Sequence, residues 1–482
     1  MKQEIAKYSY IMTSALVVGT LFNYLYQVVM GILLPKQEFG VLGVALAILY
    51  ITSVLTQNTF SWSGTRRIAS SPHEASMVLR TVTAGNLALA VTASLAVLYY
   101  SYRSETYLIP NLMVLGVLLL SALTNSYAAL LRAVKRFGQI AVANIMMSFL
   151  KLLTAVILVV LGMGAVGALG GLLISSVAVF IYLTCHATRL ELPQSRGFSG
   201  NMIRETFFVS IIFLGINFII NSSIIFMRWF SGSDALAGDY NAALTIARGP
   251  FFITSALITV LFPYISSHSN TEREEYAFQS IKYVALFVFP VCISMTADPG
   301  TWLNIFFGRK YMGGEDILRM LSAGIGFLSL TFLVSSNLVA FERPEIPALC
   351  LVTATVVQVA MIHLMDSNPV TSSTISVVAA SITSAVLLLT YYAGKFYFKW
   401  SPKYLLKIAV SYSILSAVFL SIHLNGRLLS LAEIAIAFTV YFIALSILKL
   451  FDEEDVDILL SPLPPEPVRI VRRLVSRLNS II

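Results

Sequence analysis

Apolar runs long enough to cross a bilayer recur along the whole chain, divided by short polar connections. They fall at 9–34, 39–61, 78–100, 108–131, 140–161 and 165–187, then at 206–230, 240–264, 279–297, 316–340, 347–366 and 373–395, and last at 404–424 and 430–450. A helix rising ~1.5 Å per residue needs about 20 apolar residues to cross a ~30 Å hydrocarbon core. The pattern therefore predicts an all-α integral membrane protein of about 14 transmembrane helices. No connection is long enough to form a folded extramembrane domain.

The connections also predict an orientation. Arg66, Arg67, Arg132, Lys135, Arg136, Arg189, Arg196 and Arg204 fall on one side, with Lys395, Lys399, Lys403, Lys407 and both termini. Basic loops mark the cytoplasmic face, so both termini are expected there. An internal repeat is visible as well. Gly40-Val-Leu-Gly-Val-Ala-Leu-Ala-Ile48 aligns with Gly238-Asp-Tyr-Asn-Ala-Ala-Leu-Thr-Ile246, and Asn23-Tyr-Leu-Tyr-Gln27 aligns with Asn217-Phe-Ile-Ile-Asn221. An even number of helices separates the copies, so both point the same way. This predicts two six-helix lobes in parallel repeat, residues 1–196 and 197–400, with a cavity at their interface. Two further helices occupy 401–450. The tail, 451–482, carries an acidic run at 452–457, a proline-rich break at 462–467 and an amphipathic stretch at 468–482. That last stretch is expected to lie as a helix on the anionic inner leaflet; a frayed tail is the other reading.

Composition narrows the function. Of the 482 residues 57% are apolar and only 12% charged, against about 25% charged in soluble domains. The net charge of +8 is explained by the membrane, and no nucleic-acid partner is implied. Cys185, Cys292 and Cys350 lie in apolar runs without paired spacing, and the five histidines are isolated. Neither set forms a metal site, and no phosphate-binding glycine loop is present. No cofactor and no catalytic residue is expected.

Charges inside the spans carry the most information, because they are costly there, by at least ~2.5–3.5 kcal/mol on insertion scales. Arg248 lies about two turns into the eighth span, ~12 Å from Tyr240 along the helix. Gly249 and Pro250 follow it directly. Proline donates no hydrogen bond and clashes with the preceding turn, so a kink is expected there, with Gly249 and Pro250 as hinge. Lys151 falls near the middle of the fifth span and Arg228 near the outer end of the seventh. In-span carboxylates are nearly absent, Glu433 being the main exception. Cations without acidic partners suit an anionic ligand, and the planar fork of arginine suits phosphate. Each also has a bland reading. Arg248 and Arg228 can snorkel to headgroups, and Lys151 can hydrogen-bond between helices. Asn23, Gln27, Gln57, Asn58, Asn144, Asn217, Asn221 and Asn241 supply amides that suit sugar hydroxyls or interhelical glue.

Three stretches resemble a known family. Gly31–Gly40, GILLPKQEFG, is similar to a first-loop signature ending in Glu-Phe-Gly. Gly238–Pro263 is similar to an eighth-helix pattern, Gly-x-Tyr-Asn-x-Ala with a later basic residue and proline. Ile305–Leu321 is similar to a Phe-Gly-x-x-Tyr segment before an apolar helix. The chain to about Leu450 thus resembles the polysaccharide-biosynthesis, or lipid-linked oligosaccharide flippase, branch of the multidrug/oligosaccharidyl-lipid/polysaccharide (MOP) superfamily. The resemblance implies two six-helix lobes plus two extra helices. It also implies alternating access that moves a polyprenyl-linked oligosaccharide from the inner to the outer leaflet. Basic residues in the cavity would meet the phosphates, and Arg248 matches that pattern. Ile32 stands where relatives often carry arginine. Asn221-Ser-Ser stands where an acidic residue is common in the seventh span, which counts against proton or sodium antiport.

These readings converge on a flippase in the cell membrane, with a lipid-linked oligosaccharide and membrane lipids as partners. A glycan polymerase or glycosyltransferases would act beside it. A MATE-like drug or metabolite exporter is the alternative, disfavoured by the scarcity of buried acids. A membrane glycosyltransferase or polymer ligase is a second alternative, disfavoured by the small loops.

Overall fold

The structure, a computed structural model, describes residues 2–104, 108–190, 193, 202–267, 270–365, 368–395, 401–422, 426–451 and 455. The expected amphipathic helix at 468–482 lies outside them. Among the described residues every regular element is helical. The first seven helices are α1 (Lys2–Leu33), α2 (Lys36–Val54), α3 (Phe60–Ser70), α4 (Ala75–Ser104), α5 (Leu108–Ala133), α6 (Phe137–Leu158) and α7 (Gly164–Ala187). Next come α8 (Met202–Ser231), α9 (Asp234–Ala247), α10 (Gly249–Ser267), α11 (Asn270–Tyr283), α12 (Phe289–Ala297) and α13 (Pro299–Phe307). The last are α14 (Glu315–Ala340), α15 (Glu345–Leu364), α16 (Pro369–Lys395), α17 (Pro402–Ser421) and α18 (Arg427–Ile447).

Thirteen stretches of the described residues are long and apolar enough to cross a membrane. One of them, Phe137–Ala187, has 51 residues, more than twice what one crossing needs. The chain reverses within it at Gly162 (φ 87°) and Gly164 (φ 54°), backbone angles open to glycine without a Cβ penalty. After this reversal α6 and α7 pack along each other. Counted as two, this stretch brings the candidate crossings among the described residues to fourteen. The outward surface is apolar: Leu95, Tyr99, Val160 and Leu161 are 62–71% exposed, as expected of side chains that face lipid rather than water.

The chain forms two compact units, one of residues 1–241 with 362–373 and the other of 242–361 with 374–482. In the first, the ends of α3, α5 and α7 meet the start of α4 around Ile68, Val78, Leu130 and Ala187. In the second, α10, α11, α14 and α16 enclose Leu257, Leu261, Ile281, Tyr283, Leu333, Val334 and Leu388. Without a hydrophobic drive between helices in lipid, such contacts rest on close packing and hydrogen bonds.

Each unit shows the same local solutions, which extends the repeat beyond the aligned sequence. Leu131-Arg-Ala-Val-Lys-Arg-Phe137 ends α5 and Leu338-Val-Ala-Phe-Glu-Arg-Pro344 ends α14. In both, the fifth residue is left-handed, Lys135 at φ 61° and Glu342 at φ 60°. The following arginine N–H bonds six-to-one to a helix carbonyl, Arg136 to Leu131 and Arg343 to Leu338, each at 2.9 Å. This is a Schellman end, here made without glycine. Asn86 on α4 donates to Ser126 on α5 at 3.1 Å. In the other unit Asn337 on α14 donates to Ser280 on α11 at 2.9 Å. The bridge recurs with its residue types exchanged.

Candidate functional site

The first-loop signature builds a crossing of α2 and α9. Gly40 and Gly238, aligned by the repeat, face one another. A Cβ on Gly40 would fall on the Asp234 carbonyl and the Gly238 nitrogen, and one on Gly238 on the Lys36 carbonyl. Asn241, 2% exposed, donates to the Phe39 carbonyl at 3.0 Å and packs on Gly43. Lys36 Nζ lies 2.6 Å from Asp239 Oδ2. Glu38 Oε2 accepts the Ala165 N–H at 2.6 Å, placing a carboxylate at the N-terminus of α7, where the helix dipole favours it. Lys36, Glu38 and Asp239 were missed as functional or structural partners from sequence. Asp239 corrects the expectation that buried acids are nearly absent: it is 4% exposed within the stretch 234–262. Its signal was present in the Gly-Asp-Tyr-Asn motif, but its partner is about 200 residues away along the chain.

Lys151 is buried between α1 and α6. Its ammonium donates to Asn23 Oδ1 and sits 4.5 Å from the centre of the Tyr26 ring, a cation–π contact. Asn23 donates in turn to Ser148 Oγ at 3.3 Å, and Ser148 to the Asn144 carbonyl at 3.1 Å. Gln27, one turn beyond Asn23, is 6% exposed, and its Oε1 has no hydrogen-bond partner among the described residues. Lys151, Asn23 and Gln27 thus share one polar face in the first unit, with Asn144 behind them.

The other expected residues are placed differently. Arg228 is ion-paired with Asp234, so it is not a cation without an acid. Asn217 and Asn221 donate back along α8 to the Phe213 and Asn217 carbonyls, at 3.0 and 2.8 Å. Gln57 is exposed and lies in a π turn, Leu55–Thr59, between α2 and α3. Asn58 lies in the same turn, its side chain outside the described residues.

In the second unit the helix breaks at Arg248. α9 ends at Ala247 and α10 begins at Gly249. The Arg248 N–H still bonds the Leu244 carbonyl at 3.1 Å, and the Phe251 N–H bonds Arg248 itself at 3.1 Å. Pro250 cannot donate, so the Ile246 carbonyl has no i+4 partner. Arg248 is half-buried. On α10 just beyond, Phe251 stacks on Phe332 of α14, with ring centres 4.8 Å apart. A guanidinium beside an interrupted helix offers donors in a fixed fork, the geometry that suits a phosphate or carboxylate.

A many-pass helical membrane protein with paired repeats, a buried lysine and a helix break beside a half-buried arginine has the form of a transporter. Solved structures agree on the fold. The lipid II flippase MurJ in its inward closed conformation superposes with TM-score 0.68 at 13% identity, over 89% of this chain and 98% of that one. An inward-facing multidrug-resistance MATE family transporter of the MOP superfamily gives 0.61 at 15% identity, over 80% and 98%. A MOP superfamily transporter from Pyrococcus furiosus, described as having a binding pocket of reversed polarity, gives 0.56 at 14% identity, over 81% and 94%. The fold is that of the MOP transporters. No curated protein matches the sequence closely. The family described as "Polysaccharide biosynthesis protein" matches residues 5–269, more than half of the chain, and the chain belongs to that family.

Proposed function

We propose that the protein is a flippase for a polyprenyl-(di)phosphate-linked oligosaccharide, carrying it from the inner to the outer leaflet of the cell membrane by alternating access. Arg248 binds the phosphate, and the break at Gly249–Pro250 is the hinge. The two lobes divide near residues 196 and 400, and both termini are cytoplasmic. Lys151, Asn23 and Gln27 make a separate polar patch within the first unit whose ammonium and amides suit phosphate and sugar hydroxyls, and Gln57 belongs to the same unit. Glycosyltransferases and a glycan polymerase act before and after it.

The observation that carries this reading is Arg248 at a helix break, in a chain of the polysaccharide biosynthesis family. The basic residues Arg248 and Lys151 favour an anion over the organic cations a drug exporter would take. The test is translocation in vesicles holding the purified protein. A fluorescent polyprenyl diphosphate glycoside should reach the far leaflet. The same glycoside joined to the polyprenol without phosphate should not, and neither should a lipophilic cation. Equal transport of the phosphate-free compound would refute phosphate recognition.

A further inference from the structure

The two helices beyond the repeat, α17 and α18, converge on one defect in the ninth span. That span is α11, a π turn at Val284–Val288, and α12. In the turn the Phe289 N–H bonds the Val284 carbonyl, one residue further back than in an α-helix, so it leaves the Ala285 carbonyl. Pro290 has no N–H, so the Leu286 carbonyl loses its i+4 donor too. Two consecutive acceptors are thereby released in a setting without water, where an unmet backbone group is costly. Both are met by tyrosine hydroxyls. Tyr412 of α17 donates to the Ala285 carbonyl, and Tyr441 of α18 donates to the Leu286 carbonyl at 3.0 Å. Tyr441 is 1% exposed, so no other donor can take its place from solvent.

Neighbouring residues are held from the same direction. Phe287 packs against Phe442 of α18 and against Phe451 just after it. Lys282 Nζ and the Tyr283 hydroxyl bond Asp455, at 2.6 and 3.0 Å. Residues 282–287 are thus gripped almost one after another by the chain beyond residue 401. What the defect aims is α12. Its Met295 methyl lies 3.8 Å from where a Cβ on Gly249 would stand, beside Arg248.

We propose that Tyr412 and Tyr441 are positioning residues: they hold the ninth span in its π register at Pro290, and α17–α18 form a brace that fixes α12 against the Arg248 break. Its consequence for transport rests on the function proposed above; the brace itself does not.

The test uses full-length protein in lipid and reads two quantities, amide hydrogen exchange at residues 288–292 and transport per folded molecule. Tyr441→Phe keeps the ring and removes the hydroxyl, and with it the donor to the Leu286 carbonyl. One hydrogen bond is worth ~0.5–1.5 kcal/mol, so exchange should rise roughly 2- to 12-fold and transport should fall in a similar range. Pro290→Ala returns an N–H to the Leu286 carbonyl and makes the hydroxyl redundant. In that background Tyr441→Phe should change neither quantity, a non-additivity that general destabilisation would not produce. Unchanged exchange in Tyr441→Phe, or the same change with and without Pro290, would overturn the brace. If the exchange pattern holds while no diphosphate lipid is moved by any variant, the brace stands and the proposed cargo fails.

Discussion

At the scale of single residues, the ion pair at the α2–α9 crossing makes the clearest forecast. Asp239 is buried and Lys36 is about a third exposed. Removing the cation alone leaves a carboxylate in a poorly hydrated place, which costs more than losing both charges. Lys36→Met should lower the fraction of folded protein, and Asp239→Asn in the same chain should restore much of it. The coupling energy should lie within about 0.5–3 kcal/mol, measured by thermal unfolding in one detergent. Additive losses would mean that the pair is not coupled. Arg248 and Lys151 were legible in the sequence because a charge inside an apolar run stands out against everything around it. Their partners were not: Asn23 and Lys151 are 128 positions apart, and spacing within one helix says nothing about which face another helix will cover. For the same reason Arg228 reads as a lone cation, although Asp234 is only six positions away, just past the turn that ends α8.

At the scale of elements, the passes were legible because hydrocarbon imposes a length on every crossing helix. The break at Arg248 was legible because Gly-Pro has few other outcomes inside an apolar run. The π turns were not. At Leu55–Thr59 and Val284–Val288 the freed groups are met from other helices, by a hydroxyl or by a polar cluster, and spacing along one helix does not show those partners. Ser61, for example, bonds the Thr56 carbonyl at 3.1 Å while accepting from Asn86 at 3.0 Å. The tail segment 468–482 makes a separate forecast. Wound as a helix, the sequence would put Ile470, Val471, Leu474, Val475, Leu478 and Ile482 on one face, with Arg469, Arg472, Arg473 and Arg477 away from it. The isolated peptide should become helical on anionic vesicles by circular dichroism and be released by salt. A peptide that stays unstructured there would remove the interfacial reading.

At the scale of the whole molecule, the basic connections predict that an introduced cysteine at Ser195 is shielded from impermeant thiol reagents added to intact cells. Labelling from outside would invert the topology. For the cargo proposed above, energetics follow from its charge. A lipid-linked anion leaving the cytoplasm is driven by an inside-negative potential, worth about 2.3 kcal/mol per charge per 100 mV. Vesicles with a potential and no pH gradient should therefore transport, and vesicles with the reverse should transport poorly. Strong transport driven by a pH gradient alone would point to proton coupling instead. All of this depends on whether the broken helix at Arg248 holds a phosphate. The most direct measurement is translocation of a polyprenyl diphosphate glycoside per folded molecule, comparing wild type with Arg248→Gln and Arg248→Lys. A hydrogen bond to a charged group is worth ~1.5–3 kcal/mol, so Gln should weaken substrate binding by roughly 10- to 150-fold, and Lys, which keeps the charge without the fork, should fall between. Undiminished transport per folded molecule in Arg248→Gln would contradict the account.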